Sequence, residues 1–449
     1  MRAEEIPKAV ITFLKRPVAM ILIAGLVIRL VLMPLLTYGY DVSHWALTIQ
    51  HIQAGEGLYG LSGYWYTPVW GYILGIMSVV MNVFGVTDYG HLFDELLHVE
   101  SFVGFYTATL TTPVFNFFVK IPMLISDVLV GYLVYRIIKE RTGDERKATY
   151  GFALWFLCPL VIYTSSVHGM FDSIYVMFMV LSAYALYKGH DLLAGASLAV
   201  AVLLKVFPLF IIFVLIAYIV LKHKGDLGTM RRRILTAAIG AGVMALIIYI
   251  PQILDGTVMD SLAFFTSRVD GGPVSADDGV WSSLVSFGMR LVIWLQLALF
   301  AVAALLAYRM YKKGAGDKDK AFFTCLMVTA SVIFIWPAQP SFLMLTLPFL
   351  ICFIAMYDKR FIVPFAVLVT GATLHAVNNM SVFLSLAAYT DVMKISTVVS
   401  MMEWMQQPLL FGLSKHSVVM VVTAVIEVIG IILILLYWRR HEKEAGSYG

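Results

Sequence analysis

Long apolar stretches recur along the whole chain, and they constrain its fold more than any other feature. Of the 449 residues, 60% are hydrophobic and only 13% are charged, whereas roughly 25% of the residues in a soluble domain carry a charge. A helix needs ~20 mostly apolar residues to cross a bilayer. The sequence therefore predicts an all-α polytopic membrane protein.

About twelve of these stretches are interpreted as membrane spans. Basic clusters lie in the short segments between them, and with twelve spans every cluster falls on one side. The positive-inside rule makes that side cytoplasmic and places both termini there. The clusters include Arg136–Lys147, Lys222–Arg233, Arg309–Lys320, Lys359–Arg360 and Arg439–Lys443. The spans are 18–36, 111–136, 148–165, 172–187, 190–205, 207–221, 234–251, 284–308, 321–336, 340–356, 361–377 and 416–438.

One further apolar segment, from Trp65 to Val83, fits this topology only if it does not cross the membrane. A crossing there would move the cluster Arg136–Lys147 to the outside. The segment is therefore predicted as an interfacial or re-entrant helix within a large external loop, 37–110. Loops 252–283 and 378–415 are expected on the same face. Such long loops are usually functional.

Several cations do not belong to the cytoplasmic set, and most of them lie near the predicted outer ends of spans. Ionisable groups at membrane depth are costly and usually face a polar cavity or a partner. Either they surround an anionic ligand such as a lipid-borne phosphate, or they reach the headgroups or pair with Asp127 or Asp172. These cations are Arg29, Lys120, Lys205, Arg268, Arg290, Lys394 and Lys415.

Polar motifs mark the same predicted outer face. Asp41 opens an aromatic loop that contains no Lys or Arg. His168 and Asp172 are four residues apart, so they can share a helix face as a hydrogen-bonded pair. Lys120 and Asp127 lie two helical turns apart, so a buried ion pair between them is expected.

Two proline-containing turns are predicted at this face as well. Lys205 precedes Phe207 and Pro208, where proline ends one helix and starts another. Gln339 lies between Pro337 and Pro340. Its amide can donate to a sugar or a phosphate, although a glutamine in such a turn is more often structural.

The order of these motifs resembles the integral-membrane glycosyltransferases of the GT-C type. The resemblance is closest to polyprenyl-phosphate-sugar-dependent enzymes related to the asparagine-linked-glycan glucosyltransferases and the GPI-anchor mannosyltransferases. Met170 stands where those families typically have Gln, and Thr67 where they often have Pro. The similar segments are Asp41, Tyr66-Thr67-Pro68-Val69-Trp70, Lys120-Ile121-Pro122 with Asp127, His168-Gly169-Met170-Phe171-Asp172 and Lys205-Val206-Phe207-Pro208.

The resemblance implies a GT-C fold with a catalytic transmembrane module at 1–222 and a C-terminal transmembrane region at 223–449. It also implies transfer of a hexose, with mannose preferred to glucose, from a polyprenyl or dolichyl phosphate. The acceptor would be a hydroxyl of a lipid-linked glycan, glycolipid or protein. The reaction would take place at the external or lumenal face of the cell membrane of a prokaryote, or of the ER membrane of a eukaryote.

By the same resemblance, Asp41 is the general base that activates the acceptor for inverting attack at C1 of the sugar. Asp172 is the alternative base. Because a phosphate leaves as an anion, cations can replace a general acid, and the donor-phosphate candidates are Lys205, Arg268, Arg290 and Lys120. His44 and Trp45 are expected to line the sugar site, with His168, Asp172 and Gln339 as binding or orienting residues.

No cofactor and no metal are expected. Asp41 lacks the second carboxylate of an Asp-x-Asp pair, and the adjacent Asp277 and Asp278 point apart on most backbones. Lys and Arg can neutralise a monophosphate without a metal ion. The sequence contains no P-loop or dinucleotide fingerprint. Nucleic acid is not an expected partner because the basic residues lie in short loops between spans. The apolar spans are expected to be surrounded by membrane lipids.

A twelve-span secondary transporter or lipid flippase is the main alternative. Transporters tend to have inverted repeats, broken helices and charges near the midplane. The two halves of this sequence show no similarity to each other, and its polar residues concentrate at one predicted face of the membrane. Both observations favour the enzyme over the transporter. A ligase or polymerase that joins preassembled lipid-linked glycans is a third hypothesis.

Overall fold

The computed structural model is mostly helical. It describes residues 16–60, 64, 66–93, 96, 109–262, 280–314, 316–335, 339–410 and 412–446, without the side chains of 280–294, 296–297 and 445–446.

The α-helices are numbered in chain order. They are α1 (Pro17–Leu35), α2 (Gly39–Ala54), α3 (Pro68–Val83), α4 (Pro113–Thr142), α5 (Glu145–Phe156), α6 (Pro159–Ile162), α7 (Asp172–Lys188), α8 (Asp191–Leu204), α9 (Ile212–Lys222), α10 (Leu227–Asp255), α11 (Val280–Lys313), α12 (Lys318–Val332), α13 (Leu347–Met356), α14 (Ile362–Val377), α15 (Leu384–Tyr389), α16 (Ile395–Gln406) and α17 (Lys415–Gly446).

Shorter elements connect the helices. A π-helix covers Tyr163–His168, and 3-10 helices cover Phe207–Ile211, Pro340–Leu345, Lys359–Phe361 and Met380–Phe383. Two small antiparallel hairpins pair β1 (Gly90–Leu92) with β2 (Thr109–Thr111), and β3 (Pro408–Leu410) with β4 (Leu413–Ser414).

Helices occur at all twelve predicted spans, but they differ in length. Among the described residues, five helices are long and apolar enough to cross a bilayer. They are α1, α4, α10, Lys359–Val377 and the Lys415–Glu444 part of α17. A sixth is formed if α5 and Pro159–His168 are one span, bent by 47°. Others, such as α8, are shorter than a full crossing. The multi-pass membrane class is therefore supported, while the number twelve stays a prediction.

Glycines allow two pairs of helices to pack backbone against backbone. A Cβ atom at Gly195 of α8 would lie 1.8 Å from the Ala237 carbonyl oxygen of α10, and one at Gly240 would lie 2.1 Å from the Leu192 oxygen. Gly430 of α17 packs in the same manner against Leu368 of α14. Small residues at such contacts are typical of membrane helices, which pack by close approach.

The predicted external loop 37–110 contains α2 and α3. Helix α3 occupies the segment predicted to be interfacial, and its Tyr72 hydroxyl donates to the Ile248 carbonyl oxygen at 2.8 Å and to Gln252 Oε1 at 2.6 Å. The segment is therefore a helix packed on the end of α10. Its depth in the membrane stays a prediction.

The chain runs back and forth between two ends of the helical assembly. One end, called the Asp41 end, brings together Asp41, Lys120, His168, Asp172 and Lys205. The other, called the basic end, contains the Arg and Lys clusters between the spans. Helix α8 connects the two ends, since Asp191 at its start pairs with Arg233, and Lys205 follows its last residue.

Candidate functional site

Asp41 lies in the first turn of α2, immediately after the extended link that follows α1. The free N–H groups at a helix N-terminus favour a negative charge in that turn. The Asp41 side chain keeps 14% of its surface exposed. It is therefore a carboxylate in a stabilising position that stays accessible to a ligand.

His168 is the direct partner of Asp41. Its Nε2 lies 2.8 Å from Asp41 Oδ2, and its side chain is 17% exposed. His168 ends the π-helix Tyr163–His168, a rare geometry that often occurs at functional sites. Gly169 follows with φ 85°, a left-handed conformation that glycine adopts without strain. This turn presents the imidazole to α2.

Two tyrosines flank the imidazole of His168. The Tyr38 ring makes an edge contact at 4.7 Å between centroids, and the Tyr163 ring lies at 6.2 Å. Neither residue was predicted as part of the site. With 23 tyrosines in the chain, nothing in the sequence distinguishes these two.

The expected pairing of His168 with Asp172 is wrong. The Gly169 turn ends the helical geometry, so the two side chains do not share a helix face. Asp172 instead begins α7, and both of its carboxylate oxygens accept from Lys205 Nζ at 2.9 Å. Asp172 is fully buried. It is a structural ion-pair partner in this conformation and not an accessible alternative base.

Lys205 occupies the turn that was predicted for it, between the end of α8 and the 3-10 helix Phe207–Ile211. Its ammonium lies 5.2 Å from the centre of the Phe171 ring and 4.5 Å from that of Phe342. The side chain is 8% exposed. A donor phosphate at Lys205 would therefore share the ammonium with Asp172.

Lys120 differs from the donor-phosphate ligand that was expected. It is fully buried within α4, and its ammonium lies 2.6–3.2 Å from five neutral oxygen atoms. No surface of the side chain remains for a phosphate. Its expected ion pair with Asp127 is also absent.

Asp127 pairs with a different cation because its side chain faces α1. Its Oδ2 accepts from Arg29 Nε at 2.9 Å and from the Ser165 hydroxyl at 2.6 Å. Both charged side chains are fully buried. Arg29 therefore pairs with Asp127, and Lys205 pairs with Asp172. Of the explanations offered for these two cations, the structure shows the pairing with an aspartate.

Trp45 is part of the core, so its expected role in stacking on a sugar is contradicted. It is 2% exposed and packs against Tyr66, Trp70 and Phe171, with ring centroids 5.3–6.0 Å apart. This aromatic cluster packs against α2 through Trp45. His44 remains partly buried, with Nδ1 at 2.7 Å from the Tyr40 carbonyl oxygen.

The other predicted residues lie in less informative positions. Gln339 is exposed and immediately precedes the 3-10 helix that carries Phe342. Arg268 lies outside the described residues, as do Asp277 and Asp278. Arg290 lies in α11, but its side chain is not described.

The remaining two outer cations lie away from the Asp41 cluster. Lys394 is exposed before α16. Lys415 lies over the ring of Trp404 at 3.9 Å and donates to Gln407. In the described part of the chain, no three His, Cys, Asp or Glu side chains form a group able to hold a metal ion.

A polar pair in the C-terminal half was missed. His375 Nδ1 lies 2.7 Å from Glu427 Oε1, and both side chains are buried. The available signal was Glu427 itself, an acid in the middle of the last apolar stretch. Ionisable residues at such positions usually have a partner.

Chemically, the Asp41 end offers a partly exposed carboxylate in contact with an imidazole, and a buried lysine–aspartate pair behind Phe171. A carboxylate of this kind can accept a proton from a hydroxyl.

Comparison with known proteins identifies one family. The model of glycosyltransferase family 87 matches residues 108–337, slightly more than half of the chain. The match contains Lys120, His168, Asp172 and Lys205, begins after Asp41, and crosses the predicted boundary at residue 222. No curated protein matches the chain.

Proposed function

The chain belongs to glycosyltransferase family 87, and on that premise we propose that it transfers a hexose from a polyprenyl or dolichyl phosphate. The acceptor is a hydroxyl of a lipid-linked glycan, glycolipid or protein at the external face. Mannose is the preferred sugar. The family favours this enzyme over the transporter or flippase alternative. The contact between Asp41 and His168 is the observation that carries the mechanism.

In this mechanism Asp41 is the general base. One carboxylate oxygen, Oδ2, is held by His168 at 2.8 Å, and the other accepts the proton of the acceptor hydroxyl. The hydroxyl oxygen then forms a bond to C1 of the sugar while the bond from C1 to the phosphate oxygen breaks. The leaving group departs with its electron pair as a polyprenyl phosphate, and the configuration at C1 is inverted. A positioned base of this kind contributes ~10²–10⁴-fold to the rate.

His168 orients the carboxylate in this proposal. The edge contact with Tyr38 and the Gly169 turn restrict the imidazole, so it holds Asp41 in one rotamer. In this proposal His44, about one turn further along α2, contacts the sugar or the acceptor.

The phosphate is met by cations in this proposal. Arg268 and Arg290 are the first candidates to bind it. Lys205 is a further candidate, and its ammonium would interact with the phosphate and with Asp172 at the same time. Lys120 is left out of this set because its five oxygen neighbours enclose it.

The test is Asp41→Asn. Purified protein in lipid vesicles is incubated with radiolabelled polyprenyl-phosphate mannose or glucose and a membrane lipid extract, and the labelled product is identified. We expect a loss of ~10²–10⁴-fold in transfer with only a small fall in the melting temperature, because Asp41 is partly exposed.

Asp88→Asn is the matched control. Asp88 also lies in the predicted external loop and also pairs with a histidine, since His91 Nε2 lies 2.9 Å from its Oδ2. Because both side chains of that pair are 56% exposed, Asp88→Asn should retain transfer. Wild-type transfer by Asp41→Asn would contradict the assignment of the base.

A further inference from the structure

We propose that Lys120 is a positioning residue that sets the distance between Asp41 and His168. The inference rests on the proposed function, in which Asp41 is the base. Lys120 contacts neither Asp41 nor His168 through its ammonium. It contacts the segments that lead directly into both of them.

The first of these segments is the end of α1 and the link to α2. Lys120 Nζ lies 3.0 Å from the Met33 carbonyl oxygen, 2.6 Å from the Leu36 oxygen and 2.8 Å from Thr37 Oγ1. The last carbonyls of a helix have no partner within that helix. The ammonium supplies one where the chain turns toward Asp41.

The second segment is the end of the π-helix. Lys120 Nζ lies 3.2 Å from both the Ser166 and the Val167 carbonyl oxygens, and His168 is the next residue. One cation therefore interacts with the C-terminal ends of two helices, where a positive charge is favourable. An ammonium has three N–H donors, so they are shared among the five oxygens.

The stem of Lys120 also packs against the turn that follows His168. A Cβ atom at Gly169 would lie 3.0 Å from Lys120 Cε and 2.8 Å from Cγ2 of Val42. Gly169 follows His168, and Val42 follows Asp41. Gly169 is therefore packed closely against both the Lys120 stem and the residue that follows Asp41.

Burial of this cation is costly, because all five oxygens are neutral and the side chain is fully buried. An apolar residue would fill the same volume without that cost. What the ammonium adds is a fixed connection between two segments that are distant in sequence. A displacement of about 1 Å at a reacting group can cost about 10²-fold in rate, so this connection matters for Asp41.

Lys120→Met tests the proposal, since methionine keeps most of the stem and removes the donors. We expect kcat for sugar transfer to fall roughly tenfold to a hundredfold, with little change in the KM for the donor. Lys120→Arg retains the positive charge and the donors, and should recover part of the lost kcat. A rise in the KM with unchanged kcat would instead indicate a phosphate ligand and overturn the proposal.

Arg233→Met is the matched control, because it also removes a nearly buried cation but does so away from Asp41. Arg233 is nearly buried and bonds to Asp191 and to the Leu186 carbonyl oxygen, but it lies at the basic end. It should lower the melting temperature and leave kcat unchanged. If Arg233→Met and Lys120→Met lower kcat in proportion to their losses of stability, Lys120 is only structural.

A double-mutant cycle with His168→Gln separates the two roles further. If Lys120 acts through the pair of Asp41 and His168, Lys120→Met should cost less in the His168→Gln background than in the wild type. If the factors by which Lys120→Met and His168→Gln lower kcat simply multiply in the double variant, the proposal is contradicted. Should Lys120→Met not fold, Thr37→Val removes only one of the five acceptors and should reduce kcat roughly twofold to tenfold. Unchanged kcat in Thr37→Val would then overturn it.

The proposed function and this inference fail in different ways. Wild-type activity of Asp41→Asn would refute the base, whatever Lys120→Met does. An inactive Asp41→Asn together with normal kcat in Lys120→Met would refute only the positioning role.

Discussion

The Asp41 end and the basic end of the molecule differ in how exposed most of their charged side chains are. At the basic end, Arg136, which pairs with Glu140, is 42% exposed, and Arg360, which pairs with Asp358 and Glu444, is 48% exposed, whereas the pair of Arg233 with Asp191 is nearly buried. At the Asp41 end, Asp172 is fully buried and Lys205 nearly so. Exposed pairs contribute little to stability, whereas a buried charge is tolerated only with close partners.

This difference shows what each set of charges does. The basic end carries the excess of Arg and Lys that predicts the orientation of the helices across the membrane, and loss of one exposed partner there is expected to cost little. The Asp41 end has few charges, and each is held by named oxygen or nitrogen atoms. Its geometry therefore depends on individual residues.

The largest effect is expected for Lys205→Met. The change leaves the fully buried Asp172 carboxylate without its cation, and breaking a buried pair in this way costs about 3–5 kcal/mol. The melting temperature in detergent should fall strongly. Asp172→Leu in addition should recover most of that loss, because a buried pair replaced by apolar residues is often neutral. An unchanged melting temperature in Lys205→Met would remove the contrast between the two ends.

A smaller effect is expected for Trp45→Phe. The smaller ring leaves a gap next to Tyr66 and Phe171, and we expect a loss of roughly 1–2 kcal/mol, within the usual range for point variants. Unfolding measured in denaturant checks this. A sugar-stacking tryptophan would instead show a higher KM for the donor at unchanged stability, and that result would restore the original hypothesis.

The smallest effect is expected for Arg360→Gln at the basic end. Arg360 is 48% exposed, so its loss should cost less than about 1 kcal/mol. Although partial burial acts to raise the pKa of Asp358, hydrogen bonds from Arg360 lower it below its ordinary value of 3.8. The ion pair of Asp358 and Arg360 therefore stabilises the folded protein above about pH 3.8, the ordinary pKa of aspartate. This stabilisation is lost as the pH falls through the lowered pKa of Asp358.

The wild type and Arg360→Gln should accordingly differ slightly at neutral pH and converge in acid. Thermal unfolding from pH 7 to pH 3 measures the difference. A gap that widens as the pH falls would contradict the sign of this linkage.

The helices and their order could be predicted from the sequence because an apolar stretch in a bilayer has few alternatives to a helix. The turn at Lys205 was predicted for a local reason, since Pro208 cannot continue the preceding helix. The location of Asp41 and His168 at one end followed from the alternation of spans.

The partners of the charged residues could not be predicted in the same way. Lys120 and Asp127 lie two turns apart on α4, yet they bond to different neighbours. The Gly169 turn directs His168 to Asp41 and Asp172 to Lys205. Each pairing joins residues that are distant in sequence, so local spacing carries no information about it.

The sequence by itself determined that this chain is a multi-pass helical membrane protein with an acidic, aromatic segment after its first span. Hydrophobic periodicity and charge placement decide those properties through the free energy of transfer into lipid. Only the tertiary structure decided that Asp41 meets His168, that Trp45 is core, and that Lys120 joins the ends of two helices. Those facts depend on which buried polar groups find each other, and the cost of leaving such a group unpaired makes the choice specific.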